Sequence, residues 1–358
     1  MEFDLIHRHF KSPFAALVKA NRDSVLTGIG DDCAALAPMP GHGLYVSTDT
    51  LVEGVHFFSD DPAPAVGWKS LACNLSDLAA CGAQPIGFTL NLSLPLIDES
   101  WVAGFSAGLL EIASTFNCPL VGGDTTSAGA NTAKTISITV FGEAPLQHHG
   151  FHRALAKAGD DVWVSGTPGL ARLGLLLEYQ RLGSLSRFYS SSEILSVLEL
   201  LSVMPQSLKQ LAVAALRQPF PRVNLGQSLR GKANACVDLS DGLSGDLAHI
   251  TTASGLSAVL AVHALQSVWL KRWPELSQLP GSVTFLDTLL NITLQGGDDF
   301  ELCFTAEPTH LDAIQSINTA LCRIGQLEAG EGLWLSQPNH SRQRVLGVSY
   351  KHFAEPTL

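Results

Sequence analysis

The sequence predicts two domains, each an α/β or α+β arrangement of strands and helices. Three observations carry that expectation. The chain has 358 residues, enough for two cores. Strand and helix patterns mix in both halves. Between the halves, Pro145 to His152 (Pro-Leu-Gln-His-His-Gly-Phe-His) reads as a linker, so domains are expected over 1–147 and 148–358.

The elements follow in order. Phe3, Ile6 and Phe10 mark a short amphipathic opening helix. Leu44 to Asp49 reads as a strand ending on its acid. A helix is expected over Pro64 to Cys81, with Trp68, Leu71, Leu75 and Leu78 as its apolar stripe and Gly82 and Pro85 as its stop. Phe88, Leu90, Leu92 and Leu94 alternate with polar residues, as do Ile136, Ile138 and Val140, which is the pattern of half-buried strands. Ser100 to Phe116 reads as a second helix. The other half restarts with a strand over Asp161 to Ser165, a Gly166-Thr167-Pro168-Gly169 turn and a helix over Leu170 to Leu182. Ser184 to Leu216 is Leu- and Ser-rich and helical in character. Ala235 to Leu239 is a buried strand, Ser244 to Ala253 a helix, and Glu301 to Thr305 a further strand.

Bulk properties exclude several functions. The net charge of -11 argues against nucleic acid as a main partner, because phosphate backbones call for a basic surface. No run approaches about 18 uninterrupted apolar residues, so no membrane span is expected. Met1-Glu2-Phe3-Asp4 lacks the basic start of a secretory signal. The seven cysteines are scattered and never form C-x-x-C, which reads as reduced thiols in a cytoplasmic protein.

Two phosphate loops are imitated and both fail. Gly226 to Ala233 nearly spells a Walker A, but Ala233 stands where a Ser or Thr would hold magnesium, and the segment leads into a strand. Gly28-Ile29-Gly30 lacks the third glycine of a dinucleotide fingerprint, and Asp31 and Asp32 would repel pyrophosphate.

Acids after glycines are different in kind. They occur at Gly28-Ile29-Gly30-Asp31-Asp32, Gly122-Gly123-Asp124 and Gly296-Gly297-Asp298-Asp299, read here as tight turns. Ser47-Thr48-Asp49, Asp77, and Asp238-Leu239-Ser240-Asp241 keep them company. A single such Asp is ordinarily a turn residue or an N-cap. As a set, Asp32, Asp49, Asp77, Asp124, Asp238 and Asp241 could supply carboxylates to magnesium, which takes carboxylates, waters and substrate phosphates. Two unit charges ~4 Å apart interact by about 4 kcal/mol at a surface-like dielectric, so converging aspartates would repel ATP without cations between them. Asp77 is either exposed on its helix or turned to an internal site. His56 is either packed or a contact for an anion. His148, His149 and His152 imitate a metal cluster, with solvated linker side chains as the plainer reading. Arg153 is a phosphate clamp or a surface ion-pair partner.

Taken in order, these segments resemble the thiamine-monophosphate kinase family. They are GIGDDCA (Gly28 to Ala34), STDTLVEGVHF (Ser47 to Phe57), NLSDLAACGAQP (Asn74 to Pro85), VGGDTT (Val121 to Thr126), VDLSDGLSGDL (Val237 to Leu247) and GGDDFELCF (Gly296 to Phe304). That family groups with aminoimidazole-ribonucleotide synthetase and selenophosphate synthetase, ATP-users without a P-loop. The resemblance implies the aminoimidazole-ribonucleotide synthetase-like fold in two domains: an N-terminal α/β domain whose sheet pairs across a homodimer, and a C-terminal α/β domain, with ATP between them.

The resemblance also implies roles. Asp32, Ser47, Thr48, Asp49, Asp77, Asp124, Asp238 and Asp241 match the family's magnesium positions. Gly123, Asp124, Arg153 and Ser240 match its ATP contacts. His56, Asp298 and Tyr350 match positions that meet thiamine phosphate. The implied reaction is phosphorylation of thiamine monophosphate by ATP with several Mg2+ ions, and no side chain acting as general base. The family often has Glu where this chain has Asp298. The stretches 182–211 and 264–294 look longer than the family needs.

Rivals are expected to differ elsewhere. A selenophosphate synthetase would carry a reactive Cys near its start, where no Cys precedes Cys33. A hydrogenase-maturation relative would end in Cys, whereas this chain ends Glu355-Pro356-Thr357-Leu358. A non-catalytic sensor of magnesium-nucleotide is the rival of a different class.

Overall fold

The alternation over Phe88–Leu94 and Ile136–Val140 belongs to two long paired strands in the computed structural model, which describes residues 2–148, 150–187, 191–279, 282–317 and 320–345. By internal contacts the chain separates into two units, 1–150 with 217–230, and 151–216 with 231–358.

In the first unit, β1 (Val25–Thr27) and β2 (Ala35–Leu36) form a small antiparallel ribbon around the first Gly-Asp turn. The main sheet holds β3 (His42–Val52), β4 (Gln84–Leu94), β5 (Leu120–Ser127) and β6 (Thr135–Pro145), in the order β3-β6-β4-β5. Only the β4–β5 pair is parallel. Side chains alternate across the pleat. One face therefore collects Leu51, Ile136, Ile138, Val140, Leu90 and Leu92, all buried. Two polar residues, Ser47 and Asp49, stand in the same rows, opposite Val140 and Ile138.

The Ala63–Ala80 helix covers this face and is buried along almost its whole length. It crosses the Glu99–Thr115 helix at a backbone-to-backbone contact, where a Cβ on Gly67 would overlap the Phe105 carbonyl and one on Gly108 the Pro64 carbonyl. Asp98 caps the second helix, accepting from the Ser100 and Trp101 amides.

Residues 217–230 group with the first unit for visible reasons. Arg217 pairs with Asp61 at 2.8 Å. The Trp68 indole donates to the Pro219 carbonyl at 2.7 Å. Arg230 Nε donates to the Gly82 carbonyl at 2.6 Å. The stretch that imitates a Walker A starts inside the Val223–Leu229 helix, with Gly226 against the Ala79 carbonyl.

The second unit holds β7 (Asp161–Val164), β8 (Ala235–Asp238), β9 (Leu256–Ala261), β10 (Leu302–Ala306), β11 (Cys322–Ala329), β12 (Gly332–Ser336) and β13 (Arg342–Val345). Their order is β13-β12-β9-β11-β7-β10-β8. Pairing is antiparallel except between β12 and β9. Val162, Val164, Val237, Leu247, Ile250, Leu260 and Ile324 contribute to the core beside this sheet.

The stretches 182–211 and 264–294 are not independent decorations. Val197, Leu200, Leu201 and Leu208 from the first share one buried cluster with Trp269, Trp273, Leu276, Phe285 and Leu289 from the second. Leu170, Leu173 and Leu176 of the Leu170–Arg181 helix join them. The Trp269 indole donates to Thr293 Oγ1 at 2.8 Å inside that cluster. A second core thus rests on the helix that follows β7.

Replacing a helical glycine by Ala gains roughly 0.5–1 kcal/mol of backbone entropy. At Gly108 the new methyl meets a carbonyl of the neighbouring backbone, and overpacking costs about 1–3 kcal/mol. Gly108→Ala is therefore expected to destabilise the protein. Urea unfolding measures the difference, and a gain in stability would disprove the close helix crossing.

Candidate active site

The first unit brings three of the predicted ligands together. Ser47 and Asp49 reach from β3, and Asp77 reaches from the Ala63–Ala80 helix that covers the strand. Ser47 Oγ donates to Asp77 Oδ2 at 2.5 Å. Asp49 is hydrogen-bonded to Asp77, and burial together with the neighbouring carboxylate pushes its pKa up to about 7. Asp77 is thus turned to an internal site. Two carboxyl groups in contact must share a proton or a cation.

Thr48 lies on the opposite side of the strand. Its hydroxyl donates to the Ile138 carbonyl at 3.0 Å and accepts from Thr139 Oγ1 at 3.1 Å. Asp124 shares a register row with Asn91, Ser137 and Thr50, whereas the Asp49 row runs through Ile138, Leu90 and Gly123. Within the sheet, Asp124 therefore belongs to the face of Thr50 rather than that of Asp49. It is exposed and accepts from the Thr125 amide at 2.9 Å.

Gly122-Gly123-Asp124 is not a turn. It lies within β5, where parallel pairing to β4 overrides the weak strand propensity of two glycines. The other two glycine-aspartate segments are loops. Asp32 is exposed between β1 and β2, with its amide donating to Asp31 Oδ1 at 2.9 Å.

His56 follows β3. The Val52 amide donates to His56 Nδ1 at 3.0 Å, so the neutral ring carries its proton on Nε2. The buried Lys69 donates to the His56 carbonyl at 3.0 Å. The backbone around this histidine is therefore held from two sides.

In the second unit, Asp238 ends β8 and is buried, and Ser240 and Asp241 follow in the loop before the Leu243–Ser254 helix. The Gly296–Asp299 segment lies directly against this loop. The Asp298 amide donates to the Ser240 carbonyl at 2.9 Å, and the Phe300 amide to the Leu239 carbonyl at 2.8 Å. A Cβ on Gly297 would come within 2.5 Å of the Ser240 carbonyl, and one on Gly242 within 2.7 Å of the Gly296 carbonyl. Only glycines allow the two loops to interlock this closely.

Arg153 is exposed at a short 3-10 turn, Arg153–Leu155, whose carbonyl at Arg153 accepts from Ser254 Oγ at 2.8 Å. Tyr350 and His149 lie outside the described residues, and His152 is exposed. Among the described residues, no group of three or more His, Cys, Asp or Glu is arranged to hold a metal ion.

Asp246, and Asp299 within its glycine-acid segment, are buried carboxylates for which the sequence suggests no role of their own. Asp246 Oδ2 accepts from the amides of Asp241 and Gly242, each at 3.1 Å. Burial pushes its pKa up to about 7 against those donors. An acid in the first turn of a helix, after a loop, is the signature that could have marked it. Asp299 accepts from the amides of Gly169 and Ala171, and burial drives its pKa well above the ordinary range.

Hard oxygen donors from Ser47, Asp49 and Asp77 suit magnesium, which is commonly bound through one or two carboxylates plus substrate phosphates. Burial first, and then the adjoining Asp77 carboxylate, raise the Asp49 pKa, as two acids held close together out of water must.

Comparison with known proteins bears on this arrangement. The AIR synthase related protein, N-terminal domain, matches residues 30–144. The thiamine-monophosphate kinase of Salmonella typhimurium is 38% identical over 366 residues, covering 99% of each chain. The chain belongs to the thiamine-monophosphate kinase family. A crystal structure of thiamine-monophosphate kinase from Stenotrophomonas maltophilia superposes with a TM-score of 0.72 at 35% identity, covering 90% of this chain and 95% of that one. AaThiL, solved in complex with AMPPCP and TMP, superposes with a TM-score of 0.66 at 26% identity, covering 95% and 96%. The thiamine-monophosphate kinase fold therefore extends over nearly all of this chain.

The paired carboxyls carry a pH signature. Because Asp49 is raised from its ordinary 3.8 to about 7, the folded protein holds a proton that the unfolded chain has released. That contribution to stability is present below about pH 4 and is lost as pH rises through 7. In chelator-treated protein, the melting temperature is expected to fall between pH 5 and 8 more steeply for wild type than for Asp49→Asn. Equal slopes in the two proteins would contradict the pairing.

Proposed function

We propose that this chain transfers the γ-phosphoryl group of ATP to thiamine monophosphate, giving thiamine diphosphate and ADP. This would be the last step of thiamine diphosphate biosynthesis, carried out in the cytoplasm. The observation that carries the reading is identity across nearly the full length of a thiamine-monophosphate kinase. It is strengthened by the structural likeness to AaThiL, whose complex contains AMPPCP and TMP.

The acceptor is a phosphate oxygen that is largely ionised near neutral pH, so no strong general base is needed. Catalysis is in-line positioning with stabilisation of charge on the moving phosphoryl group. Ser47, Asp49 and Asp77 would hold one Mg2+, with Asp32, Asp124, Asp238 and Asp241 serving further ions. The Thr48 hydroxyl, bonded on the opposite face, is not needed for the Ser47–Asp49–Asp77 group. When bound, the metal ions neutralise charge between carboxylates and phosphates.

Gly123, Asp124, Arg153 and Ser240 contact ATP in this reading. His56 offers its Nε2 proton to the acceptor phosphate, and Asp298 and Tyr350 contact the thiamine moiety or its phosphate. Residues 1–147 would form a nucleotide, metal and dimerisation domain, and 148–358, apart from the 217–230 segment that groups with the first unit, would complete the substrate site. A homodimer through the first sheet is supported by Leu44 and Val46, which are 52% and 55% exposed on the edge strand β3.

The proposal is tested with purified protein, ATP, magnesium and thiamine monophosphate, followed for thiamine diphosphate. Tight ATP binding without product would favour a nucleotide sensor, and no nucleotide binding would exclude both. Asp49→Asn is expected to lower turnover by about 100-fold or more, with partial recovery at high magnesium. Wild-type turnover of that variant at ordinary magnesium would remove Asp49 from the metal set.

A further inference from the structure

Asp299 is buried, and each of its carboxylate oxygens is engaged by a different amide of one helix start. Oδ2 accepts from Gly169 at 2.6 Å and Oδ1 from Ala171 at 3.0 Å. Gly169 is the N-cap of the Leu170–Arg181 helix, and its own side offers no capping side chain. A carboxylate at a helix start meets both orphan N–H groups and the favourable end of the helix dipole. Asp299 thus supplies, from a distant part of the chain, the cap that Gly169 lacks.

The residues on either side of it are tied elsewhere. Asp298 and Phe300 donate their amides to Ser240 and Leu239 in the loop between β8 and the following helix. Both have positive φ, 65° and 49°, a conformation that persists only where the surroundings hold it. Asp299 is the residue between them. It pins the strained pair to the helix while its neighbours pin the same pair to the Asp238–Asp241 loop.

We infer that Asp299 is a positioning residue for the phosphoryl acceptor, acting through the turn that presents Asp298. The inference rests on the reading of Asp298 as an acceptor contact. The chemistry is selective. An Asn at 299 would place an amide NH2 against one of two N–H donors, and an apolar residue would leave both donors without a partner. In either case the turn is released from the helix while the Asp298 side chain itself is unaltered.

A merely structural anchor would lower the melting temperature and the active fraction without changing how the remaining active enzyme binds its acceptor. Steady-state kinetics of Asp299→Asn, normalised by active-site titration, separates the two roles. The KM for thiamine monophosphate is expected to rise by about 10-fold or more, with the KM for ATP changing much less. An unchanged KM for thiamine monophosphate overturns the inference. Asp298→Asn is measured in parallel. If it raises that KM while Asp299→Asn does not, Asp298 remains an acceptor contact and the positioning role falls. If Asp298→Asn leaves that KM unchanged, the reading of Asp298 falls and takes the inference with it. Should Asp299→Asn fail to fold, Asp299→Glu keeps the carboxylate but displaces the turn by one methylene. The same rise in KM is then expected, and its absence overturns the inference.

Discussion

The constraint on which the structure depends is the repulsion between carboxylates held out of water. Charges ~4 Å apart interact several-fold more strongly in a protein setting than in bulk water. An acidic protein that gathers aspartates near one another must therefore offset that repulsion or leave them protonated. Asp49 shows the balance directly: burial and Asp77 together raise its pKa to about 7. The fold keeps this pair together by placing one acid on an edge strand and the other on the helix that covers it. The apolar rows around them, Ile136, Ile138, Leu90 and Leu92, fix the separation of strand and helix. Hydrophobic packing thus holds charge where charge alone would not stay.

The second unit meets the same constraint with backbone amides. Asp246 gathers two N–H groups from the loop carrying Asp241, and Asp299 gathers two from the helix at Gly169. Amide donors favour the charged carboxylate, while burial favours the neutral one. These acids orient loops, and their neighbours Asp241 and Asp298 are left less buried. The division between buried acids that organise and more accessible acids that can meet a ligand recurs on both loops.

Much of the first unit was legible because its periodicities are strong. The strands at 88–94 and 136–140 and the helix at 64–81 match their observed counterparts within a few residues, except that both strands run longer. Gly122-Gly123-Asp124 reads as a turn in the sequence because its glycines carry no side chains to show alternation, and the parallel partner that stabilises β5 is distant in sequence. β9, β11 and β12 have no comparable local signal, since they are fixed by pairing with one another and with β7. The motifs led to Ser47, Asp49 and Asp77 as a group, but spacing alone did not reveal that Thr48 faces away. Nor did it reveal Asp246 and Asp299, whose roles exist only once remote backbone amides arrive. The stretches 182–211 and 264–294 are not placed by local pattern for the same reason: they meet each other and the Leu170–Arg181 helix in one cluster, and Leu265, Val268, Leu290 and Leu294 join the core beside the sheet.

The residue type at Asp298 follows from backbone geometry. Its φ of 65° lies in the left-handed region, where Asp is several-fold enriched over most non-glycine residues because its short side chain can bond locally. A Glu at this position, the family's frequent choice, places its carboxylate one methylene further out but gains less from that conformation. The Asp here accommodates the turn that interlocks with Ser240, with a shorter side chain than Glu. On the proposed reading of Asp298 as an acceptor contact, the placement of the turn itself must then supply the reach, because a shorter side chain has less freedom to correct a misplaced backbone. That makes the anchoring of the turn by Asp299 and by the Ser240 and Leu239 carbonyls more consequential in this chain than it would be with Glu at 298.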